Sequence, residues 1–330
     1  MLSLKNQLKG LIFKIAADER NLKKKLDFAL KNRLLIILNF HKIAPPDQSS
    51  WKPFDPIIFR EVMRYINKNF EVSTFSDLKD SKKDGIDRPR IIISFDDGYK
   101  DFIEYAMPIL FELGVRVNQN VIPNCAIKGI PPLNVIAADW IGQAPLGLIQ
   151  KLDIPNFYLS GTNKNRDTLG SLISQFLKFM PFADQKKYFN YLLPQFLEFD
   201  GFKWTKMMNL EEVKSISSIH EIGLHSMNHE SMNQESDSYF QQDLLDCSKF
   251  ADQELNISNP IYAFPNGAYR PSQLAILQSM HFSHILLVGD KVSSAKSVVH
   301  NRFNFHADSL DEARFKATGN LLSKRKSFSI

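Results

Sequence analysis

The run Ile91-Ile92-Ile93, followed at once by Ser94-Phe95-Asp96-Asp97-Gly98-Tyr99, constrains this chain more than any other stretch. Three consecutive β-branched residues read as a buried strand. That strand delivers two adjacent carboxylates to its end. One can hold a metal ion, while its neighbour, lying close to the cation, can act as a base toward a water that the metal has acidified. Asp is also a common helix N-cap, and the apolar-periodic segment Asp101 to Leu113 begins just beyond, so the pair alone leaves both roles open.

Far down the chain, His225-Ser226-Met227-Asn228-His229 follows Ile222-Gly223-Leu224 and offers two imidazoles four residues apart. On a helical turn such residues share one face, and neutral imidazole nitrogens bind zinc at about 2.0–2.1 Å. With eight histidines in the chain, a pair at this spacing arises by chance on the order of 0.2 times, and either imidazole alone also fits a capping or core hydrogen bond. Together with the acidic pair, two His and one Asp make three protein ligands and leave coordination positions open for water and substrate. A structural zinc would want a fourth ligand, and neither Cys125 nor Cys247 has a partner at finger spacing. A third element, Pro265-Asn266-Gly267-Ala268-Tyr269-Arg270, follows the strand-like Ile261 to Phe264 and reads as a tight turn, whose backbone N–H groups can face a developing oxyanion.

Taken in order, SFDDGY, HSMNH and FPNGAY, each after a short strand, resemble the polysaccharide deacetylases of carbohydrate esterase family 4, the group with NodB homology. The likeness spans residues 35–123 and 205–305, about two-thirds of the chain. It implies a distorted (β/α) barrel and metal-dependent removal of an N-acetyl group from an amino sugar. By position it implies Asp96 as general base, Asp97, His225 and His229 as metal ligands, Tyr269 as a backbone donor to the oxyanion, and Pro265 and Gly267 as part of the substrate site. Mixed nitrogen and oxygen ligation fits Zn2+ best and also suits Co2+, Ni2+ or Mn2+. Many members carry an Arg just before the turn, where this chain has Tyr262-Ala263-Phe264; Arg302 is the candidate to orient Asp96 in its place. The late Leu-x-His motif that supplies the general acid is not evident, although His300 and His306 lie in that part of the chain. Leu38-Asn39-Phe40-His41 is similar to the strand-borne His of the branch that deacetylates biofilm poly-N-acetylglucosamine, which favours His41 over His306 as the acid. Acetyl and formyl removal need the same electrophilic carbon. The same barrel acting on a formamide or imide, or a non-catalytic carbohydrate binder, are the alternatives; the intact acidic pair and histidine pair argue against the binder.

The 330 residues, 44% of them hydrophobic, exclude a disordered chain and exceed what such a barrel needs. Residues 1–33 hold nine Lys and Arg against Asp18, Glu19 and Asp27, a net +6, and Lys324-Arg325-Lys326 lies in a basic tail, 319–330; the rest of the chain is at −4 within a total of +5. Leu8, Leu11, Ile12 and Ile15 recur at helical spacing, continued by Leu22, Leu26 and Ala29. Such a basic amphipathic extension suits either an anionic membrane surface or a place on the barrel bottom. No aromatic-interleaved basic patch accompanies the charge, so nucleic acid is not an expected partner. Lys14 breaks the early apolar stretch, the run Leu34 to Leu38 is far short of the roughly 20 residues a bilayer span needs, and two distant cysteines fit reduced thiols. The expected compartment is the cytoplasm, with possible peripheral membrane contact.

The barrel is expected over 34–318. Asp55-Pro56 should cap a helix with Phe59, Val62, Met63 and Ile66 inward; a helix from Asp101 should end at Gly114, with a strand over Val115 to Ile122. Residues 124–204 read as a mostly helical insertion, with pieces around Leu169 to Met180 and Gln185 to Phe196 and the polar stretch Gly161 to Asn165 between them. It is expected to wall the substrate groove, with Trp140 a candidate for stacking on a sugar. Asn209 with Glu212 reads as a capping box, and a helix from Asp308 to Thr318 is expected to close the barrel.

Overall fold

A computed structural model describes residues 4–80, 87–157, 165–280 and 282–319; the Lys324-Arg325-Lys326 tail and Gly161 to Lys164 lie outside the described residues. Nine strands are present among the described residues: β1 (Leu34–Phe40), β2 (Glu71–Ser73), β3 (Arg90–Phe95), β4 (Asn118–Val121), β5 (Glu221–Leu224), β6 (Ile261–Ala263), β7 (His284–Val288), β8 (Ser293–Ser294) and β9 (Val299–Asn304). Seven of them form a closed parallel ring, β1-β3-β4-β5-β6-β7-β9 and back to β1. The fold is the expected distorted (β/α) barrel with a helical insertion and an N-terminal helical extension.

The distortion has a local cause. β1 pairs with β3 along all of Arg90–Phe95, so the other edge of β3 is divided, β2 taking its first half and β4 its last two residues. In the same way β8 and β9 divide the outer edge of β1.

Side chains on each strand alternate between two cores, as a period of two requires. Ile36, Leu38, Phe40, Ile91, Ile93 and Phe95 face the surrounding helices. Leu35, Ile37, Ile92, Ile261, Ala263 and Leu286 fill the barrel interior. Continuing the inward row toward the C-terminal strand ends brings in Asn39, Ser94, Asn120 and Arg302, all fully buried. The interior therefore changes from apolar to polar along the barrel axis, and the mouth at the C-terminal strand ends is where such barrels carry their chemistry.

The helix Pro56–Asn69 forms as read, with Asp55 accepting from the Ile57 and Ile58 amides and Phe59, Val62, Met63 and Ile66 buried. The segment after Asp101 opens with a wide π turn, Phe102–Ala106, before the α-helix Met107–Glu112, and ends at Gly114 in a left-handed conformation (φ 63°). Pro108, which has no N–H to donate, sits just past the wide turn. The strand read over Val115 to Ile122 is shorter, Asn118–Val121, and all four of its residues are buried. Asn209 and Glu212 make the reciprocal capping box.

The insertion has its own dry core, in which Ile136, Trp140, Ile141, Ile173, Leu177, Leu192 and Phe196 meet. Trp140 is 1% exposed and its indole N–H donates to the Phe196 carbonyl (3.1 Å), so it holds the insertion together and cannot stack on a sugar. The insertion leans on the loop after β1: a Cβ on Gly170 would come within 1.8 Å of the Ser50 hydroxyl.

The N-terminal extension is two helices, Leu4–Ala16 and Glu19–Lys31. Leu22 and Ala29 are buried, whereas Leu8, Leu11, Ile12 and Ile15 are exposed. The last helix, Leu310–Ala317, packs on the outside against the helices Leu4–Ala16 and Pro56–Asn69. Closure of the barrel, expected from that helix, is made instead by β9 pairing with β1, because only a strand can satisfy the exposed β1 edge. No helix among the described residues is long and apolar enough to cross a membrane.

Candidate active site

Asp96 and Asp97 leave the end of β3 in a tight turn, with Asp97 (φ 76°) and Gly98 (φ 78°) both left-handed. Neither caps the next helix, which begins five residues on. The ladder carries one residue past the strand ends: the Asp96 amide donates to the Phe40 carbonyl (3.0 Å) and the His225 amide to the Val121 carbonyl (2.8 Å). Strand parity then turns Asp96, His225 and His41 inward at the mouth.

The histidine pair does not lie on a helical turn. Residues 225–229 form an irregular loop in which Ser226 (φ 55°) and His229 (φ 67°) are left-handed. Glu230, fully buried, makes this loop possible by accepting four hydrogen bonds: from the Ser226 hydroxyl (2.6 Å), the Asn228 amide (3.0 Å), the Asn228 side chain (2.7 Å) and the Tyr239 hydroxyl (2.7 Å). The Met227 amide donates to Asp243 (2.8 Å). Backbone that would otherwise be strained is held by a buried carboxylate.

This loop brings both imidazoles to Asp97. Asp97 Oδ1 lies 3.4 Å from His225 Nε2 and 3.3 Å from His229 Nε2, and all three residues are buried. Asp97 Oδ1 has no hydrogen-bond partner among the described residues. A buried carboxylate oxygen left without a donor is costly unless something else sits against it. His225 Nδ1 lies 2.8 Å from the Ala263 carbonyl; as the donor there, it turns the Nε2 lone pair toward Asp97. Burial pushes the His225 pKa down to about 4, so the ring is neutral at neutral pH, as a ligand must be. Burial would raise the Asp97 carboxyl, but its interactions with His229, His41 and His225 outweigh it and hold it well below the usual carboxylate range. An orphaned oxygen and two ring nitrogens within 4.8 Å of one another could hold a divalent cation.

Asp96 is in the opposite condition. Arg302, fully buried, grips it with two parallel bonds, Nη1 to Oδ1 (2.6 Å) and Nη2 to Oδ2 (2.9 Å). The Asn120 side chain donates to Oδ1 (2.8 Å) and that of Asn39 to Oδ2 (2.8 Å). Arg302 is itself steadied by the Asn39 side-chain oxygen and the Ser94 hydroxyl, each at 2.9 Å. Burial opposes ionisation of Asp96, yet Arg302 and His225 more than offset it, so the carboxyl stays charged far below its ordinary range. Gly223 makes room for this layer: a Cβ there would come within 2.1 Å of Asn120 Oδ1.

Above these groups opens a cavity of about 610 Å3, lined by Asp96, Asp97, His225, His229, His41 and residues of the insertion. Asn134 and Ala138 from the helix Leu133–Gln143, and Ser174, Gln175 and Lys178 from Arg166–Lys178, form the wall facing the barrel. Trp51, in edge contact with His41 (5.9 Å) and Tyr99 (5.8 Å), is the tryptophan that reaches the cavity.

The two candidate acids differ in position. His41 lies at the end of β1, and its interaction is among those that depress both carboxylates. His306 lines the cavity too, but its side chain is 60% exposed and paired with Asp308 (3.2 Å). His300 is buried in the barrel beside His284 and Phe75, away from the cavity lining. Tyr269 does not line the cavity; its ring packs on Phe264 (5.0 Å). Pro265 and Gly267 shape the turn without lining it either, and the residue this turn brings to the cavity is Asn266, left-handed (φ 58°) and bonded to Ser231 (2.9 Å). A left-handed Asn at the apex swings the following residues back against the barrel core.

Among known proteins, the polysaccharide deacetylase sequence family matches residues 199–285. No curated protein matches the sequence. The Streptococcus pyogenes deacetylase PplD, solved in complex with acetate, has a similar fold (TM-score 0.56, 15% identity, 86% of this chain and 98% of that one). So does IcaB from Ammonifex degensii (TM-score 0.56, 14% identity, 87% and 97%), and a polysaccharide deacetylase from Bacillus cereus (TM-score 0.54, 12% identity, 86% and 69%). The chain thus matches the polysaccharide deacetylase family over residues 199–285 and shares the fold of these deacetylases.

Proposed function

We propose that this protein is a metal-dependent hydrolase that removes the N-acetyl group from an amino sugar of a cell-envelope or exported polysaccharide, or of its lipid-linked precursor. The observation that carries the reading is the meeting of Asp97, His225 and His229, with one carboxylate oxygen unpartnered, beside an Asp96 that is kept ionised. The family match and the fold support deacetylation; the metal, the sugar and the residue roles are our inference.

A divalent cation held by Asp97, His225 and His229, most suitably Zn2+, would polarise the acetamide carbonyl and acidify a water beside it. Asp96 takes that water's proton. Its four lone-pair directions are all engaged, so one donor must turn away first. Asn39 is the donor with somewhere to go, since its side-chain N–H already reaches Asn304 Oδ1 at 3.1 Å, and the oxygen it serves, Oδ2, is the one nearer His225 (3.9 Å from Nε2). Arg302 keeps hold of Asp96 throughout and stabilises the charge it started with. The tetrahedral carbon that follows carries a negative oxygen, and Asn266, the residue of the Pro265–Gly267 turn that reaches the cavity, would be the turn's donor toward it. Loss of the amine needs a proton, because a bare amide anion is a very poor leaving group, and His41 supplies it. The products are acetate and a free amino sugar.

Acetate release from N-acetylglucosamine oligomers, measured with and without chelator on the wild type and on Asp96→Asn, tests this reading. We expect release that chelation abolishes and that Asp96→Asn lowers by roughly 10²–10⁴-fold. Tight glycan binding with no release of acetate or formate would favour the binding-protein alternative.

A further inference from the structure

We propose that the helix Leu4–Ala16 docks this protein on an anionic lipid surface and that it does so beside the mouth of the cavity. The helix is mounted inside out. Leu8, Leu11, Ile12 and Ile15 share one face at i, i+3, i+4 and i+7, and they are 58%, 55%, 54% and 63% exposed. The opposite face makes the attachment to the barrel: Phe13 packs on Phe315 (5.7 Å), and Lys9 pairs with Asp308 (2.6 Å) and Glu312 (3.0 Å). An amphipathic helix that served only to cover the barrel would bury its leucines.

Charge identifies the occupant of the stripe. Residues 1–33 carry a net +6 on a body of −4, and Lys14, Lys23 and Lys24 are exposed beside the apolar face or on the next helix. An apolar stripe flanked by lysines is the pattern of a helix lying in the plane of a membrane interface, where the leucines enter the headgroup boundary and the cations meet anionic lipid. A second copy seated face to face on the same stripe would bring two such cationic segments together. Location supplies the third argument. Asp308, which Lys9 holds, also pairs with His306 on the cavity wall, so three side chains join the attached face of the helix to the mouth. Docking would bring an amino sugar borne on a lipid carrier to the cavity at headgroup height. That last consequence rests on the deacetylase reading; the docking does not.

Flotation of the full-length protein with vesicles of phosphatidylcholine containing about 30% phosphatidylglycerol, against phosphatidylcholine alone, tests the proposal. We expect the wild type to float with the anionic vesicles at low salt and to stay behind with the neutral ones. The double variant Leu11→Glu/Ile15→Glu should lose about tenfold or more of its vesicle affinity while releasing acetate from soluble oligomers as the wild type does. Lys14→Glu/Lys23→Glu/Lys24→Glu, which leaves the stripe intact, should also lose binding to the anionic vesicles. The proposal is overturned if the wild type does not float, if the stripe variant floats equally well, or if light scattering shows a dimer that the stripe variant breaks apart.

Discussion

The two walls of the cavity are built on opposite principles. On the barrel side the layer around Asp96 is polar, fully buried and bonded: Arg302, Asn39 and Asn120 hold one carboxylate from several strands at once, and Ser94 accepts from Arg302. On the insertion side the helices Leu133–Gln143 and Arg166–Lys178 keep a dry core behind them and turn Asn134, Ser174, Gln175 and Lys178 to the cavity. A buried polar network fixes its members in place, since each group that moved would be left unpaired in a medium of low dielectric. Side chains on the solvent face of a separately folded unit carry no such penalty. The barrel wall is therefore suited to chemistry, and the insertion wall to meeting a substrate whose shape varies.

Breaking the barrel wall should have the larger effect. Arg302→Met leaves Asp96 buried without its cation, which costs about 3–5 kcal/mol for such a pair; urea denaturation should show that loss, and acetate release should fall with it. If stability barely changes, Asp96 is less confined than its four donors imply. Gly223→Ala pushes a methyl into Asn120, an overpacking that costs about 1–3 kcal/mol, and its effect on kcat should exceed its effect on KM because Asn120 acts on Asp96 and not on the sugar.

A second shielded carboxyl, just beyond the turn after β3, behaves in the opposite way. Asp101 also has its carboxyl oxygens shielded from solvent, but no guanidinium faces it; burial pushes its carboxyl up to about 8, with Lys42 offsetting only part. Its unfolded value is near 3.9, so between about pH 4 and pH 8 the folded chain binds more protons than the unfolded one, and stability falls as the pH rises through that window. Melting temperatures from pH 5 to 8 should decline in the wild type and less so in Asp101→Asn. Equal slopes would mean that Asp101 is ionised in the fold. The smallest effect belongs to the insertion wall. Lys178, whose pKa burial lowers, lines the cavity and makes no ion pair among the described residues. Lys178→Met should alter KM for acidic or zwitterionic glycans by a few fold, equivalent to about 1 kcal/mol, with kcat unchanged.

What could be read in the chain, and what could not, follows the same division. The acidic pair, the histidine pair, the helix at Asp55 and the capping box at Asn209 are local signals, each written within a few residues, and all lie where the sequence put them. The conformation of the histidine loop differs from a helical turn because i, i+4 spacing is also met by a turn with two left-handed residues, and the residue that stabilises it, Glu230, carries no motif. Asn39, Ser94 and Asn120 went unassigned because a polar residue in a strand usually marks a solvent face; in a closed parallel barrel the inward row becomes a buried polar layer instead. The signal was there in Asn118-Gln119-Asn120, three polar residues inside an apolar strand pattern. Arg302, named from the sequence as the candidate to orient Asp96, does reach it, across 206 positions, a pairing that only barrel closure creates. Trp140, a sugar-stacking candidate by its place in the insertion, spends its indole on the insertion's own core.

The central claim is that Asp97, His225 and His229 share one cation. Metal content measured after stripping and reloading with Zn2+, on the wild type, Asp97→Ala and His229→Ala, with folding checked by circular dichroism, tests it most directly. The account predicts about one ion per chain in the wild type and a large loss in both variants, with acetate release following the metal. Equal metal content in all three, or full activity in stripped protein, would contradict it.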